Sequence, residues 1–238
     1  MIRLNKYISN SGICSRREAD VLISEGRIKI NDQVVTALGT KVKKEDTVIY
    51  NGKILKAENH KYILINKPKN CITTVKDTHE RKTVMDIIEG VCDERLYPVG
   101  RLDRDTTGLL LMTNDGELTT RLTHPSFGIK KKYVIQLENS IHPDSLKEMV
   151  KGIKLDDGEV KYDDVIYGRQ QIDRTQLIVT LHSGKNRVIR RTMEYFDKTL
   201  LHLDRIEFAG IKKGNLQRGN WRFLDPKEVG YLKMTKSR

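Results

Sequence analysis

The chain has 238 residues, 37% hydrophobic and 32% charged, which suits a well-hydrated globular protein with one large domain or a large and a small one. Its 44 Lys and Arg against 32 Asp and Glu leave a formal net charge of +12, an excess that draws polyanions and favours nucleic acid as the partner. Cys14, Cys71 and Cys92 are too few and too scattered for a disulfide framework or a Cys-x-x-Cys zinc site, and no apolar run nears the roughly 20 residues that span a bilayer.

In chain order, residues 1–58 read as a compact unit. Leu4, Tyr7 and Ile8 mark one face of a short helix that stops at Gly12. Ser15 and Glu18 then stand at capping-box spacing, ahead of a helix with Ala19, Leu22 and Ile23 inward that ends at Gly26. Arg27 to Ile30 alternates polar and apolar, Asn31-Asp32-Gln33 makes a turn, Val34-Val35 returns, and Thr47 to Tyr50 adds a further strand. Arg3, Lys6, Arg16, Arg17, Arg27 and Lys29 crowd this segment. Two of them, Arg16 and Arg17, open the second helix, where backbone amides already favour phosphate. A solvated charged face is the plainer reading of the same residues.

A short polar stretch around residues 56–61 reads as a linker, and residues 61–238 read as a second, larger domain. Strands are expected at 62–66, 109–113, 133–137, 177–181 and 200–208, and helices at 83–88, 117–123, 144–151, 187–196 and 227–232. The mixture implies an α+β domain on a mainly antiparallel sheet flanked by helices. Just before the apolar run 109–113 lies Gly100-Arg101-Leu102-Asp103-Arg104-Asp105-Thr106-Thr107-Gly108, which sets carboxylates among guanidiniums on a loop. Guanidinium favours the charged form of a neighbouring carboxylate, as a nucleophile working at neutral pH requires. Charged loop residues are more often plain surface.

Motifs in both regions resemble known families. Arg3-Leu4-Asn5-Lys6-Tyr7-Ile8, Gly12 to Ala19 and Gly26 to Asn31 resemble the S4 RNA-binding domain, which implies structured RNA as the partner. Val99 to Asp103, followed by Thr106 to Gly116, resembles the catalytic motif of pseudouridine synthases, in the RsuA branch that pairs an S4 domain with a catalytic domain. That resemblance implies Asp103 as nucleophile, with Asp105 in a structural role. Lys130-Lys131-Lys132-Tyr133-Val134 resembles the family's Lys-x-Tyr element, which implies Tyr133 against the uracil, and an aromatic ring beside cations suits an extruded base. Gly184-Lys185-Asn186-Arg187-Val188-Ile189-Arg190-Arg191 resembles the third motif, which implies Arg190 as the partner of Asp103 and Leu181 near the base. The Gly184-Lys185 pair is not a nucleotide-hydrolysis loop, since Val179 stands where the upstream glycine belongs.

Arg101, Leu181, Lys132, Arg187 and Arg191 complete the expected substrate contacts. Val188 replaces the family's common Gln or Glu, and Asp197 a common helix-ending Gly; Asp tolerates left-handed backbone better than most residues. The resemblance implies isomerisation of a uridine in ribosomal RNA with no metal or cofactor. Residues 1–6 lack the continuous apolar segment of a secretory signal, so the cytoplasm is the expected location, and no exposed apolar stripe demands a partner, so a monomer is expected. It points to the RluB-like large-subunit group, with small-subunit RNA as the alternative target. A non-catalytic RNA-binding assembly factor is the alternative of a different class. If the Asp103–Arg190 pair is buried, removing Arg190 costs roughly 3–5 kcal/mol.

Overall fold

The computed structural model describes residues 1–168 and 174–235. It divides into two compact units, Met1–Lys61 with Cys92–Leu96, and Tyr62–Val91 with Tyr97–Arg238. Residues 92–96 thus cluster with the first unit, held there in part by the 3.4 Å ion pair of Lys61 with Glu94.

In the first unit, helices α1 (Leu4–Asn10) and α2 (Arg16–Ser24) pack on a small antiparallel sheet ordered Gln33–Val35, Ile28–Ile30, Val48–Tyr50, Lys53–Ile54. Leu4, Ile8, Ala19, Ile23, Ile28 and Val48 form its core, each apolar side chain larger than Ala worth about 1.5–3 kcal/mol of burial. The capping box forms as the spacing requires. Glu18 N–H donates to Ser15 Oγ at 3.2 Å, and Ser15 N–H donates to Glu18 Oε2 at 2.7 Å. Asn31 and Asp32 take left-handed φ values of 48° and 62°, the paired geometry that lets a two-residue turn match the strand twist.

The second unit is built on one twisted sheet whose main path runs Asp164–Tyr167, Gln176–Leu181, Lys131–Leu137, Leu200–Phe208, Thr107–Thr113, Tyr62–Lys67, Trp221–Phe223. Neighbours along this path are antiparallel except Leu200–Phe208 against Thr107–Thr113, where Asp204 pairs with Thr107 and Arg205 with Gly108 in parallel. The mainly antiparallel mixed sheet with flanking helices makes the domain α+β. Gly108 is required at the parallel contact. Its φ is +107°, and a Cβ there would run into the Arg205 backbone. Helices α3 (Gly116–Thr123), α4 (Pro143–Lys151), α5 (Val188–Tyr195) and α6 (Pro226–Lys233) agree with the expected segments to within a few residues. Among the described residues no helix is long and apolar enough to cross a membrane.

One expected helix is absent. Residues 83–88 form turns instead, because their backbone is already engaged: Val84 N–H donates to Ile72 O at 3.0 Å, across an isolated parallel bridge between Ile72 and Thr83. Asp86 then takes the Thr83 N–H at 2.7 Å, a side-chain bond that competes with helix formation. Val84 and Ile88 are buried without helical spacing being needed to bury them.

Candidate active site

Asp103 sits on the loop that enters the buried strand Thr107–Thr113, and side chains of the 67–73 segment fix the residues on both sides of it. On one side, Thr73 Oγ1 donates to Leu102 O at 2.8 Å and accepts from Leu102 N–H at 3.2 Å. On the other, Lys67 Nζ donates to Arg104 O at 3.2 Å, and also to Pro68 O at 3.0 Å and Cys71 O at 2.6 Å. Lys67 is fully buried, and its burial lowers the ammonium to about 8. A turn bond from Thr106 N–H to Asp103 O at 3.1 Å closes the loop. The carboxylate is therefore displayed from a backbone with little freedom, as a reacting group must be.

The loop forms one wall of a cavity of about 220 Å³. Tyr133 and Leu181 come from adjacent strands of the sheet, and Arg187 and Arg190 from the start of α5. Arg190 Nε lies 3.7 Å and Arg187 Nη1 3.8 Å from Asp103 Oδ2. Both distances are longer than a hydrogen bond, and the Arg190 Nε is buried with no other partner. Arg187 adopts left-handed geometry, φ 46°, at the helix N-cap, which turns the chain sharply from the sheet into α5. Tyr133 is 8% exposed, so its ring belongs to the cavity wall.

The structure brings Asp103, Tyr133, Arg190, Arg101, Leu181 and Arg187 to this one cavity. It corrects three expectations. The Asp103 side chain is 39% exposed, so the pair with Arg190 is not buried and the large penalty for breaking a buried pair does not apply. Lys132 does not line the cavity; strand residues alternate faces, and Lys131 is the one that shares a face with Tyr133. Arg191 is also absent from the lining. Its Nη2 bonds Asp157 Oδ2 at 2.8 Å and its Nε bonds Asn186 O at 2.9 Å, so it ties the start of α5 to the turn between strands Ile153–Leu155 and Gly158–Val160. Lys185 anchors the same turn through Asp157 O at 2.7 Å and Glu159 O at 3.1 Å. Asp105 is exposed beside Arg104, 3.5 Å away, and is outside the cavity lining, while its charge favours the ammonium form of buried Lys67.

Two cavity residues were missed from sequence. Lys131 was hidden by its place in a run of three lysines, although period-two alternation from Tyr133 points to it. Arg205 lies within the expected strand 200–208, where an arginine in an apolar run is itself a signal. Val188 presents an apolar surface to the cavity where a polar contact was in doubt.

In the first unit, Arg3, Arg16, Arg17, Arg27 and Lys29 are exposed and Lys6 is half-buried, with Arg16 and Arg17 in the first turn of α2. Arg27 is already engaged. Its guanidinium donates to Tyr50 Oη at 3.0 Å and lies 5.4 Å from that ring's centroid.

Residues 61–195 match the family model for RNA pseudouridylate synthase, and residues 2–48 match that for the S4 domain. A protein of Aquifex aeolicus (strain VF5) described as an uncharacterized RNA pseudouridine synthase is 40% identical, covering 97% of this chain and 93% of its own length. Ribosomal large subunit pseudouridine synthase B of Bacillus subtilis (strain 168) is 38% identical, covering 98% and 96%. A crystal structure of a pseudouridylate synthase matches the fold with a TM-score of 0.69 over 98% of this chain and 100% of that one, at 24% identity. A carboxylate displayed between arginines, a buried aromatic ring lining the same cavity, and a sequence match along nearly the whole chain lead to one assignment: this chain belongs to the RNA pseudouridylate synthase family and carries an S4 domain at its N-terminal end.

Proposed function

We propose that this protein isomerises a uridine of large-subunit ribosomal RNA to pseudouridine in the cytoplasm, acting as a monomer. The observation that carries the site assignment is that Asp103 and Tyr133 line one cavity, with the Arg190 guanidinium 3.7 Å from the Asp103 carboxylate. Asp103 is the nucleophile, Tyr133 packs against the base, and Arg190 orients Asp103. Leu181 closes the apolar wall, while Arg101 and Arg187 meet phosphates at the rim. Residues 1–58 serve as the S4-type RNA grip through Arg3, Lys6, Arg16, Arg17, Arg27 and Lys29, and residues 61–238 as the catalytic domain. Extruding the base costs a few kcal/mol, which backbone contacts offset. The choice of the large subunit is supported by the name of the Bacillus subtilis relative.

A pseudouridine map of ribosomal RNA from cells with and without this protein tests the reading. One large-subunit site should vanish and return with the wild type, but not with Asp103→Asn. A vanished small-subunit site would move the target. An unchanged map would favour a binding factor that has lost its chemistry.

A further inference from the structure

Beside Asp103, the cavity carries positive charge that no carboxylate neutralises. Arg205 is 2% exposed; its Nε donates to Leu109 O at 2.7 Å, its guanidinium lies 4.6 Å from the centroid of the Phe208 ring, and its Nη2 is buried with no partner. Lys131 Nζ is held only by the backbone oxygens of His182 and Ser183, at 3.1 and 3.2 Å. Among the described residues neither cation has an acidic partner. Both line the cavity, and the sheet register sets Arg205 directly opposite Tyr133 and Phe208 opposite Lys131. Burial, reinforced by Arg205, lowers Lys131 to about 8, so it remains mostly cationic at neutral pH.

A buried guanidinium with a spare donor destabilises a fold until an anion or strong acceptor reaches it. The reaction makes such a group. When the C1′–N1 bond breaks, its electron pair leaves with the base, as an anion whose charge spreads over N1, O2 and O4. This holds whether the Asp103 carboxylate bonds to C1′ or the sugar loses its C2′ proton. C5 then bonds to C1′, either as the C1′–oxygen bond to Asp103 breaks and the carboxylate leaves or as the lost proton returns to C2′; one proton leaves C5, one arrives at N1, and the base is neutral again. Turning uracil about its N3–C6 axis exchanges N1 with C5 and, in the same motion, O2 with O4. A fixed donor therefore meets a carbonyl oxygen both before and after the turn.

We propose that Arg205, with Lys131 beside it, is the anion seat for the detached uracil, donating to a base carbonyl as negative charge develops. Donors aimed at charge that appears only during reaction are the usual means of lowering such a barrier. This inference rests on the cavity being the uridine pocket.

The test uses the full chain as wild type, Arg205→Lys and Lys131→Gln, on RNA carrying uridine or 5-fluorouridine at the target position. Single-turnover loss of the N-linked nucleoside is followed by digestion and mass spectrometry. Fluorine stabilises the departing base, which then needs less help from the protein. Each variant should lose about 100-fold or more on uridine at unchanged RNA affinity, and the deficit should shrink at least about tenfold on 5-fluorouridine. Equal deficits on both bases, or none on uridine, would overturn the anion seat. If Arg205→Lys does not fold, Lys131→Gln decides by the same comparison. A wild type that leaves uridine RNA unconsumed would instead sink the pocket assignment.

Discussion

Asp103 and Arg190 meet at a half-open edge of the cavity, 3.7 Å apart, with the carboxylate 39% exposed and the guanidinium 17%. Exposed pairs of this kind contribute on the order of 0–1 kcal/mol to stability, because water screens them and a fixed geometry costs side-chain entropy. On the proposed assignment, Arg190 matters to the reaction more than to the fold. Arg190→Ala should melt close to wild type, with less than about 1 kcal/mol lost. Its single-turnover rate should fall by about 100-fold or more, because Asp103 loses its orienting charge. A large fall in melting temperature would mean that the pair is a structural one. Asp197 illustrates a residue whose local role was legible: it takes left-handed geometry, φ 52°, after α5, as its tolerance for that region allows.

At the scale of elements, Lys67 joins the end of strand Tyr62–Lys67 to the catalytic loop through three carbonyls. Its ammonium stands at about 8 in the folded protein and at its ordinary 10.5 once unfolding exposes it. Between these values the unfolded chain binds more protons, so this lysine makes stability rise with pH from about 8 to 10.5. Below pH 8 it is protonated in both states and its burial penalty is felt in full. Lys67→Met leaves the carbonyls of Pro68, Cys71 and Arg104 unpaired and should cost about 1–3 kcal/mol or more at neutral pH. Denaturant titrations at pH 8 and pH 10 should show the gap between wild type and variant widening at the higher pH. Taking the difference subtracts most of the opposing effect of buried Cys71 and Tyr162, whose pKa values burial raises. A gap independent of pH would mean that burial does not lower the Lys67 pKa in the folded protein. The same cross-connections explain why residues 83–88 do not follow their helical pattern: a bridge to Ile72 claims the backbone first.

For the whole molecule, the +12 charge favours association with RNA, and its contribution is read through salt. Arg16 and Arg17 are exposed in the first turn of α2, where their charge adds to the helix N-terminus. The double change Arg16→Ala and Arg17→Ala should weaken binding to ribosomal RNA fragments and lower the slope of log affinity against log salt by about one for each phosphate no longer neutralised. Turnover at saturating RNA should stay near wild type. An unchanged slope would mean that these arginines do not face the backbone of the RNA.

Most of the elements were legible in the sequence because their signals are local. Capping at Ser15 and Glu18, glycines after helices, alternation in strands, and an apolar run behind a charged loop each follow from neighbours a few residues apart. The resemblance carried by the three catalytic-domain motifs likewise named Asp103, Tyr133 and Arg190. What tertiary structure alone decided was which cations face the cavity and which are already used. Arg191 is consumed by Asp157, distant in sequence, and Arg205 becomes buried and unpaired only because Leu200–Phe208 packs between two other strands. The exposure of Asp103 was equally hidden, since a loop's motif does not reveal how deep its backbone lies. Charge, propensity and spacing belong to the chain; desolvation and partner choice depend on distances between residues far apart in it, and exist only once the sheet has assembled.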